Sequence, residues 1–365
     1  MVVAAAAAGA IAAPPAVTKA PGPRWKIQYF YDKDDSEFVI NDLAFSSPER
    51  GIAAGYVASK KGKAKGMVVI TRNGGATWVQ VPVDDIPISL FLLDDSLGWM
   101  VTSKGLWRTD EAGRTWKKVK GMQGLRRAYF LDANHGFITG APKLFKETKD
   151  GGKTWTDVAG MDELKMAPEN TYFDWIEWPT ATRAIVLGAN VAPRREFGNF
   201  MDPEMLSRRR EWPGLNITLE TNDSGKTWIP QTAPTFGRFL RLRIAKDMRV
   251  GLSLIGFVNT FQYPSEVYLV NAKGGSTRIY RERNRNVTDV VWFGKQSLIV
   301  AVEPPGKLHQ LPIPGKVHVL RSADQKQWEE MKVDYRAFGL RAMLATSGED
   351  AWVATDSGQI LKLIK

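Results

Sequence analysis

The chain has 365 residues, of which 50 are lysine or arginine and 39 are aspartate or glutamate, giving a formal net charge of +11. It contains no cysteine, so disulfide bonds, thiol catalysis and cysteine-ligated metals are excluded. The excess of positive charge points to an acidic partner: a protein surface, an anionic membrane or an acidic glycan.

Two further classes of partner are disfavoured by the pattern of residues. The basic residues are spread along the chain without a nucleic-acid recognition motif, so we do not expect nucleic acid to bind. The three histidines, His135, His309 and His318, do not have the spacing of a zinc site. We therefore expect neither a metal nor another cofactor.

Residues 1–23 are predicted to be a leader that precedes the folded domain. An alanine-rich apolar run followed by small residues and prolines resembles the apolar and cleavage regions of a signal peptide. No basic segment precedes this run, so the alternative is a flexible Ala/Pro extension. Export to a periplasm, a lumen or the extracellular space is the first expectation, and a soluble cytoplasmic location is the second. No later segment has the ~20 consecutive apolar residues of a membrane helix.

A hairpin pattern recurs along the rest of the chain, in which an apolar strand, a turn and a second apolar strand follow one another. Short β-rich runs broken by Asp, Asn, Gly and Pro are typical of β-hairpins. The seven copies begin at Leu43, Leu90, Ala128, Ile176, Leu242, Val290 and Ala342.

A second repeat follows these hairpins at the next turn. Its clear copies run from Thr71 to Trp78, Thr109 to Trp116, Thr148 to Trp155 and Thr221 to Trp228, with weaker copies from Asn271 to Arg278 and Ser322 to Trp328. An Asp or Asn side chain accepts hydrogen bonds from turn N–H groups, a following glycine tolerates positive φ, and the tryptophan packs between sheets. These residues are therefore predicted to be structural: Asn73, Trp78, Asp110, Trp116, Asp150, Trp155, Asp223, Trp228, Asp324 and Trp328.

Together the two repeats predict blades of four strands, A to D. The last blade has only three strands, ending with residues 359–365, and the segment Trp25–Phe30 is predicted to supply the fourth. This pairing would close the ring and remove an exposed sheet edge. The prediction is an all-β fold, a single seven-bladed β-propeller over residues 24–365 with an insertion at about 189–215.

The Gly-aromatic start of strand B and the Gly-Gly-Lys-Thr-Trp turn at residues 151–155 resemble the Ycf48/HCF136-like propellers, which carry BNR (Asp-box) repeats. That family is known for photosystem II assembly factors, and the resemblance implies a scaffold or assembly role. Sialidases and other glycoside hydrolases share these turns on six blades, but this chain has no Arg-Ile-Pro segment of the sialidase type. The motifs specify the fold more than the function.

The long insertions and most basic loops fall on one predicted side of the ring. In a propeller, the B–C and D–A loops share one face, here called the loop face, and the A–B and C–D turns share the other, here called the turn face. Long insertions beside arginines favour docking of an anionic partner on the loop face. The alternative is that these charged residues only contact solvent and keep the protein soluble. The predicted partner-binding residues are Arg194, Arg195, Arg208, Arg209, Arg210, Arg281, Arg283 and Arg285.

The starts of the seven innermost strands predict a polar ring near the mouth of the central channel. Its members are Asp42, Ser89, Arg127, Asp174, Arg241, Asp289 and Arg341. The opposite charges could satisfy one another, the three arginines could bind a carboxylate ligand, or the aspartates could act as acid and base. A slip of one residue in this alignment would turn each side chain to the other face of its sheet.

From these patterns we predict a monomeric, non-enzymatic scaffold that binds an acidic protein surface or complex, which could be associated with a membrane, through its basic loop face. One alternative is an exo-acting glycoside hydrolase of the sialidase-like superfamily that uses the channel mouth. The other is a carbohydrate-binding propeller without turnover.

Overall fold

Seven sheets arranged as a ring, antiparallel except for one short parallel pair, form most of the described part of the chain. The computed structural model describes residues 22–60, 62–191, 214–245, 250–257, 264–271, 275–309 and 311–365. Most of the predicted leader and the central part of the predicted insertion lie outside these ranges.

The first strand, β1 (Arg24–Phe30), precedes four blades that each contain four consecutive strands paired in sequence order. Blade 1 contains β2 (Ser36–Phe45), β3 (Gly51–Ser59), β4 (Lys65–Thr71) and β5 (Val79–Val83). Blade 2 contains β6 (Pro87–Leu92), β7 (Gly98–Thr102), β8 (Gly105–Thr109) and β9 (Lys117–Gly121). Blade 3 contains β10 (Leu125–Phe130), β11 (Gly136–Gly140), β12 (Leu144–Thr148) and β13 (Thr156–Asp157). Two short 3-10 helices, Met161–Glu163 and Pro168–Asn170, lead into blade 4, which contains β14 (Thr171–Glu177), β15 (Ala184–Asn190), β16 (Gly214–Thr221) and β17 (Ile229–Thr235).

Blade 5 follows the same plan, and blades 6 and 7 vary it. Blade 5 contains β18 (Arg238–Ile244), β19 (Val250–Gly256), β20 (Ser265–Asn271) and β21 (Ser276–Tyr280). Blade 6 contains β22 (Asn286–Phe293), β23 (Gln296–Val302), β26 (Gly315–Ser322) and β27 (Glu329–Glu330), and its B–C loop forms a separate hairpin of β24 (Gly306–Leu308) and β25 (Leu311–Ile313). The link to blade 7 includes β28 (Lys332–Val333) and β29 (Phe338–Gly339), and blade 7 contains β30 (Ala342–Ser347), β31 (Asp350–Thr355) and β32 (Gln359–Ile364).

Strand β1 closes the ring by pairing antiparallel with β32 as the fourth strand of blade 7. Trp25 on β1 is only 1% exposed and lies opposite Leu363, and its indole N–H donates to Sδ of Met331 at 3.4 Å. The predicted seven blades and the predicted closure are therefore confirmed. The closure joins residues that are more than 300 positions apart in sequence.

The apolar core is divided into seven clusters, one in each interface between neighbouring blades. Aromatic pairs connect some of these interfaces directly. Trp99 of blade 2 stacks on Phe130 of blade 3 with ring centroids 3.6 Å apart, and Trp352 of blade 7 stacks on Phe45 of blade 1 at 3.5 Å. Such pairs contribute about 0.5–1.5 kcal/mol beyond the burial of their area.

The glycine that begins strand B has a packing reason. A Cβ added to Gly136 would lie 2.4 Å from the ring of Phe130, so no larger residue fits there without displacing the ring. A Cβ added to Gly51 in blade 1 would likewise lie 2.4 Å from the ring of Phe45. The Gly-aromatic pattern seen in the sequence is therefore a consequence of how strands A and B pack.

No helix within the described ranges has the length and apolar composition that a membrane crossing requires.

Candidate functional site

The aspartates of the turn repeat are bonded within their own turns. In blade 3, Thr148 Oγ1 accepts the N–H of Gly152 at 2.9 Å, and Asp150 accepts both the N–H of Thr154 at 2.9 Å and its hydroxyl at 2.6 Å. These donors, led by the Thr154 hydroxyl, lower the pKa of Asp150 to about 2. Asp223 of blade 4 has the same environment, and its pKa is likewise lowered to about 2.

Blades 1 and 6 use variants of this turn. In blade 1, Asn73 takes the place of the aspartate and accepts the N–H of Thr77 at 2.9 Å. In blade 6, Asp324 accepts the N–H groups of Gln327 and Lys326 at 2.8 and 2.9 Å, and these donors lower its pKa. The side chains of Asn73 and Asp324 are thus hydrogen-bonded within their own turns.

Blade 2 corrects one prediction. The turn carboxylate is Glu111, which accepts the hydroxyl of Thr115 at 2.9 Å, whereas Asp110 forms an ion pair with Arg108 at 2.8 Å. The turn begins at Thr109, whose Oγ1 accepts the N–H of Gly113, and this pattern places residue 111 where the other turns have Asp or Asn. The prediction that Asp110 forms the turn is therefore wrong.

The tryptophans that end these turns lie in or beside the interfaces between blades. Trp228 meets Phe137 and Trp178 edge-on with centroids 5.9 Å apart in both pairs, and its indole N–H donates to Gly225 O. The other four tryptophans of these turns are partly buried and pack against apolar clusters: Trp78, Trp116, Trp155 and Trp328.

The predicted polar ring is present, with one change of membership. The innermost strands of blades 1 to 6 each contain an irregularity that inserts one residue just before the ring position. In blade 4 the inserted residue is Asp174, so Trp175 occupies the ring position. In blade 7, Arg341 lies one residue before strand β30 begins. The predicted alignment was therefore wrong by one residue in blade 4, because a bulge shifts the register.

From blade 1 to blade 4, each ring residue contacts the next blade. Asp42 accepts the N–H of Leu90 in blade 2 at 2.9 Å, and the Ser89 hydroxyl donates to Arg126 O in blade 3 at 2.8 Å. Arg127 of blade 3 lies over the Trp175 ring of blade 4, 4.8 Å from its centroid.

Similar contacts join blade 4 to blades 5, 6 and 7 and then return to blade 1. The indole N–H of Trp175 donates to Leu242 O in blade 5, and Arg241 Nε lies 3.6 Å from Asp289 Oδ1 in blade 6. Asp289 accepts the N–H of Leu344 in blade 7, and Arg341 donates to Asn41 O in blade 1 at 3.3 Å. The ring is thus a closed series of contacts between neighbouring blades.

Two of the three ring arginines are paired with ring aspartates: Arg127 Nη1 lies 2.6 Å from Asp42 Oδ2, and Arg241 pairs with Asp289. Beside the ring, Arg243 lies 3.7 Å from Glu177. Arg241 and Arg243 join Arg127 over the Trp175 ring, at 4.5 and 4.6 Å from its centroid. Burial lowers the pKa of Arg241 to about 10 and raises the pKa of Glu177. These contacts fit the interpretation in which the opposite charges satisfy one another.

A second group lies at the loop-face end of the channel, beside the ring. It consists of Arg126, Tyr172, Asp174 and Arg238 and is called the mouth cluster below. Arg126 forms an ion pair with Asp174, and its guanidinium lies 4.6 Å from the Tyr172 ring centroid. Arg238 lies 5.9 Å from the same centroid and has no carboxylate partner among the described residues. The neighbouring Phe236 is 54% exposed.

The predicted partner-binding arginines have different environments. Arg281 lies 3.3 Å from Glu266, and Arg285 pairs with Glu330 at 2.6 Å and Glu282 at 3.3 Å, so neither charge is unopposed. Arg283 is exposed and has no ion pair with a described residue. The remaining five, Arg194, Arg195, Arg208, Arg209 and Arg210, lie outside the described residues.

Sequence reasoning named Asp174 but missed Trp175 and the other three residues of the mouth cluster, Arg126, Tyr172 and Arg238. The adjacent arginines at positions 126 and 127 and the spaced pair at 238 and 241 were visible signals. Only the blade arrangement shows that residues from strands β10, β14 and β18 meet at Tyr172.

Exposed apolar side chains are concentrated on the loop face. The large hydrophobic residues that are exposed in the described chain are Phe30, Val79, Ile229, Phe236, Leu308, Leu311, Ile313, Tyr335 and Phe338. Only Val79 and Ile229 lie at the turn-face ends of their strands. No group of three histidine, aspartate or glutamate side chains suited to a metal occurs in the described ranges.

Comparison with solved structures shows a Ycf48-like propeller fold. A structure of Ycf48 bound to a D1 peptide is 13% identical, covers 93% of this chain and 100% of its own, and superposes with a TM-score of 0.59. Ycf48 from Cyanidioschyzon merolae is 15% identical over 93% of this chain and 98% of its own, with a TM-score of 0.56. A GH74 enzyme from Niastella koreensis is 12% identical over 89% of this chain and 65% of its own, with a TM-score of 0.50.

No protein-family model and no curated protein matches the sequence. Identities this low establish the fold, and the presence of both Ycf48 and a glycoside hydrolase among the similar structures shows that the fold alone does not give the function.

Proposed function

We propose that this propeller is a non-enzymatic scaffold, acting as an assembly factor, that binds an acidic protein surface through its loop face. The observation that carries the proposal is the mouth cluster, where two guanidiniums lie against Tyr172 next to the exposed Phe236.

The composition of this cluster suits a protein interface. Arginine and tyrosine are enriched among the residues that dominate binding energies, and they act best when a partner excludes water from them. Arg238 brings a positive charge that no described carboxylate neutralises, so an acidic group of a partner could pair with it. The net charge of +11 would accelerate the encounter with such a partner.

The ring contacts support the non-enzymatic part of the proposal. A general acid or base must be able to reach the substrate proton. Asp42 and Asp289 instead accept backbone N–H groups from their own and the next blade, and Asp174 pairs with Arg126. Each candidate carboxylate is therefore engaged in holding the blades together.

The similar structures support protein binding in a general sense. One of them is Ycf48 with a bound peptide, and other propellers with the fold include BamB and a component of the mitotic checkpoint complex. The assembly role is our proposal for this chain and follows the first of these by analogy of fold.

A paired-variant capture experiment tests the proposal. Wild type, the double variant Phe236→Ser/Arg238→Glu and the control Val79→Ser/Arg72→Glu would be used as baits in host membrane and soluble extracts at low and high salt. The control changes one exposed apolar residue and one exposed arginine on the turn face. Bound proteins would be identified by mass spectrometry.

We expect the wild type and the control to retain the same protein, and its amount to fall as salt rises. The loop-face variant should retain at least about tenfold less, because a charge is reversed within the interface. Equal retention by all three baits would overturn the proposal. Turnover of an acidic glycoside that is lost in Arg127→Ala or Arg241→Ala would favour the hydrolase instead.

A further inference from the structure

The B–C loop of blade 6 forms a hairpin that none of the described apolar clusters covers. Leu308 lies directly opposite Leu311, and Gly306 lies opposite Ile313. Because side chains alternate along a strand, Leu308, Leu311 and Ile313 share one face of this two-stranded ribbon. They are 62%, 70% and 45% exposed, which is unusual for three neighbouring aliphatic residues.

The charges of this hairpin are of one sign. Between Pro304 and Lys316 the sequence contains Lys307, His309 and Lys316 and no acidic residue. Both lysines are exposed. Lys307 lies opposite Pro312, so its side chain is on the face of the ribbon away from the leucines, and Lys316 lies at the start of β26, beside the base of the hairpin. The nearest preceding carboxylate, Glu303, accepts the backbone N–H of Lys316 and contacts His318.

Prolines make the hairpin rigid and unsuited to strand addition. Pro304 and Pro305 precede β24, and Pro312 and Pro314 lie within and after β25. Proline has a fixed φ and no N–H, so the β25 edge offers few donors to an added strand. A two-stranded ribbon alone is marginally stable in water. The prolines restrict its backbone, so the ribbon loses less conformational entropy when it binds.

One aromatic residue extends this surface at the base of the hairpin. Phe338 pairs with Lys316 across β29 and β26 and is 38% exposed. Aromatic residues beside lysines are typical of the boundary between a bilayer and water.

We propose that this hairpin docks the propeller on an anionic lipid bilayer. Leu308, Leu311 and Ile313 would enter the boundary between headgroups and acyl chains, and Lys307 and Lys316 would contact the anionic headgroups. The exposed apolar face, the absence of acidic residues and the small number of N–H donors on the β25 edge together favour a lipid surface over an added strand of another protein. The contact would turn the loop face toward the membrane, and it stands whether or not the mouth cluster binds a protein.

Vesicle flotation tests the lipid contact. Vesicles of phosphatidylcholine with one-third phosphatidylglycerol would be compared with pure phosphatidylcholine, using wild type, Leu308→Ser/Leu311→Ser and the control Val79→Ser/Ile229→Ser. The control residues are the exposed apolar pair on the turn face. All four positions are exposed, so each variant should fold, which circular dichroism would check.

We expect wild type and the control to float with the anionic vesicles, and the hairpin variant to bind at least about tenfold more weakly. Lys307→Gln/Lys316→Gln should also weaken binding, but less, because each lysine near the surface contributes only a few-fold. Equal flotation of wild type and the hairpin variant would overturn the proposal, as would the absence of wild-type binding. A protein captured through the hairpin in vesicle-free extract, without vesicle binding, would also overturn it.

A fluorescence measurement gives an independent reading. Because the chain has no cysteine, Leu311→Cys and, as a control, Val79→Cys can each carry a single environment-sensitive dye. Insertion predicts a blue shift with anionic vesicles for the dye at position 311 and none at position 79. The same spectrum for both positions would contradict insertion of the hairpin.

Discussion

The two faces of this propeller use the same kinds of side chain differently. On the turn face, Asp150, Asp223 and Asn73 are bonded to the hydroxyls and N–H groups of their own turns. On the loop face, Arg238 is half-buried and has no carboxylate partner among the described residues, and Phe236 is 54% exposed. The repeated residues therefore maintain the scaffold, and the residues that depart from the repeat are those available for binding.

The polar ring belongs with the scaffold in this comparison, although its composition resembles a ligand site. Its arginines and aspartates connect each blade to the next. Substitutions in the ring and in the turns should thus lower stability, whereas substitutions on the loop face should affect binding. Each prediction below would weaken this contrast if it failed.

The largest effect is expected in the ring. Asp42→Ala removes the acceptor of the Leu90 N–H and leaves Arg127 without its carboxylate. The pair is partly buried, so losing the carboxylate and the backbone acceptor together should lower the free energy of unfolding by about 2–3 kcal/mol in urea titration. Asp110→Ala, which removes an exposed pair, should change it by less than about 0.5 kcal/mol. Equal losses in the two variants would contradict the structural role of the ring.

A smaller loss is expected in the turns. Thr148→Val keeps the shape of a buried side chain but leaves the N–H groups of Asp150 and Gly152 without their acceptor. The free energy of unfolding should decrease by about 1–2 kcal/mol. Thr156→Val, at an exposed position nearby, serves as the control and should change little. A loss in the control as large as that in Thr148→Val would show that the turn bonds are not the cause.

Acid should weaken the turns through Asp150 and Asp223. Their folded pKa values, lowered to about 2 from 3.8, mean that their stabilisation is present above pH ~4 and is lost as the pH falls toward 2. The double variant Asp150→Asn/Asp223→Asn imitates Asn73 and should lose fewer degrees of thermal midpoint between pH ~4 and ~2 than wild type does. Parallel midpoint curves for the two proteins would show that these aspartates do not contribute.

The smallest effect on stability is expected on the loop face. Phe236→Ser/Arg238→Glu should change the free energy of unfolding by less than about 1 kcal/mol, because both residues are partly or fully exposed. Urea titration beside Asp42→Ala makes the comparison direct. A loss comparable with that of Asp42→Ala would place these residues in the scaffold.

The sequence predicted the parts of the fold that depend on local chemistry. Gly136 before Phe137 marks the start of a strand B, because the ring of Phe130 leaves no room for a Cβ. The missing fourth strand of the last blade indicated that β1 closes the ring, and Trp25 occupies that position.

The errors came from features without a local signal. The predicted ring member of blade 4 was Asp174, but a bulge in β14 puts Trp175 at that position. A shift of one residue in strand register cannot be predicted from the apolar pattern alone. Two partner-binding candidates, Arg281 and Arg285, are paired with Glu266 and Glu330, the second of which is 45 residues away in sequence. Whether an arginine is free to bind a partner therefore depends on carboxylates that pair with it in the fold, and the residue type alone does not show this.

Site-specific photo-crosslinking tests the contrast between the two faces most directly. A photoreactive amino acid would be placed at position 236 on the loop face or at position 79 on the turn face, and each protein would be irradiated in host extract. We expect one specific protein to be crosslinked from position 236 and not from position 79, with a yield that falls as salt rises. The same adducts from both positions, or a specific adduct from position 79 alone, would contradict the division of roles between the faces.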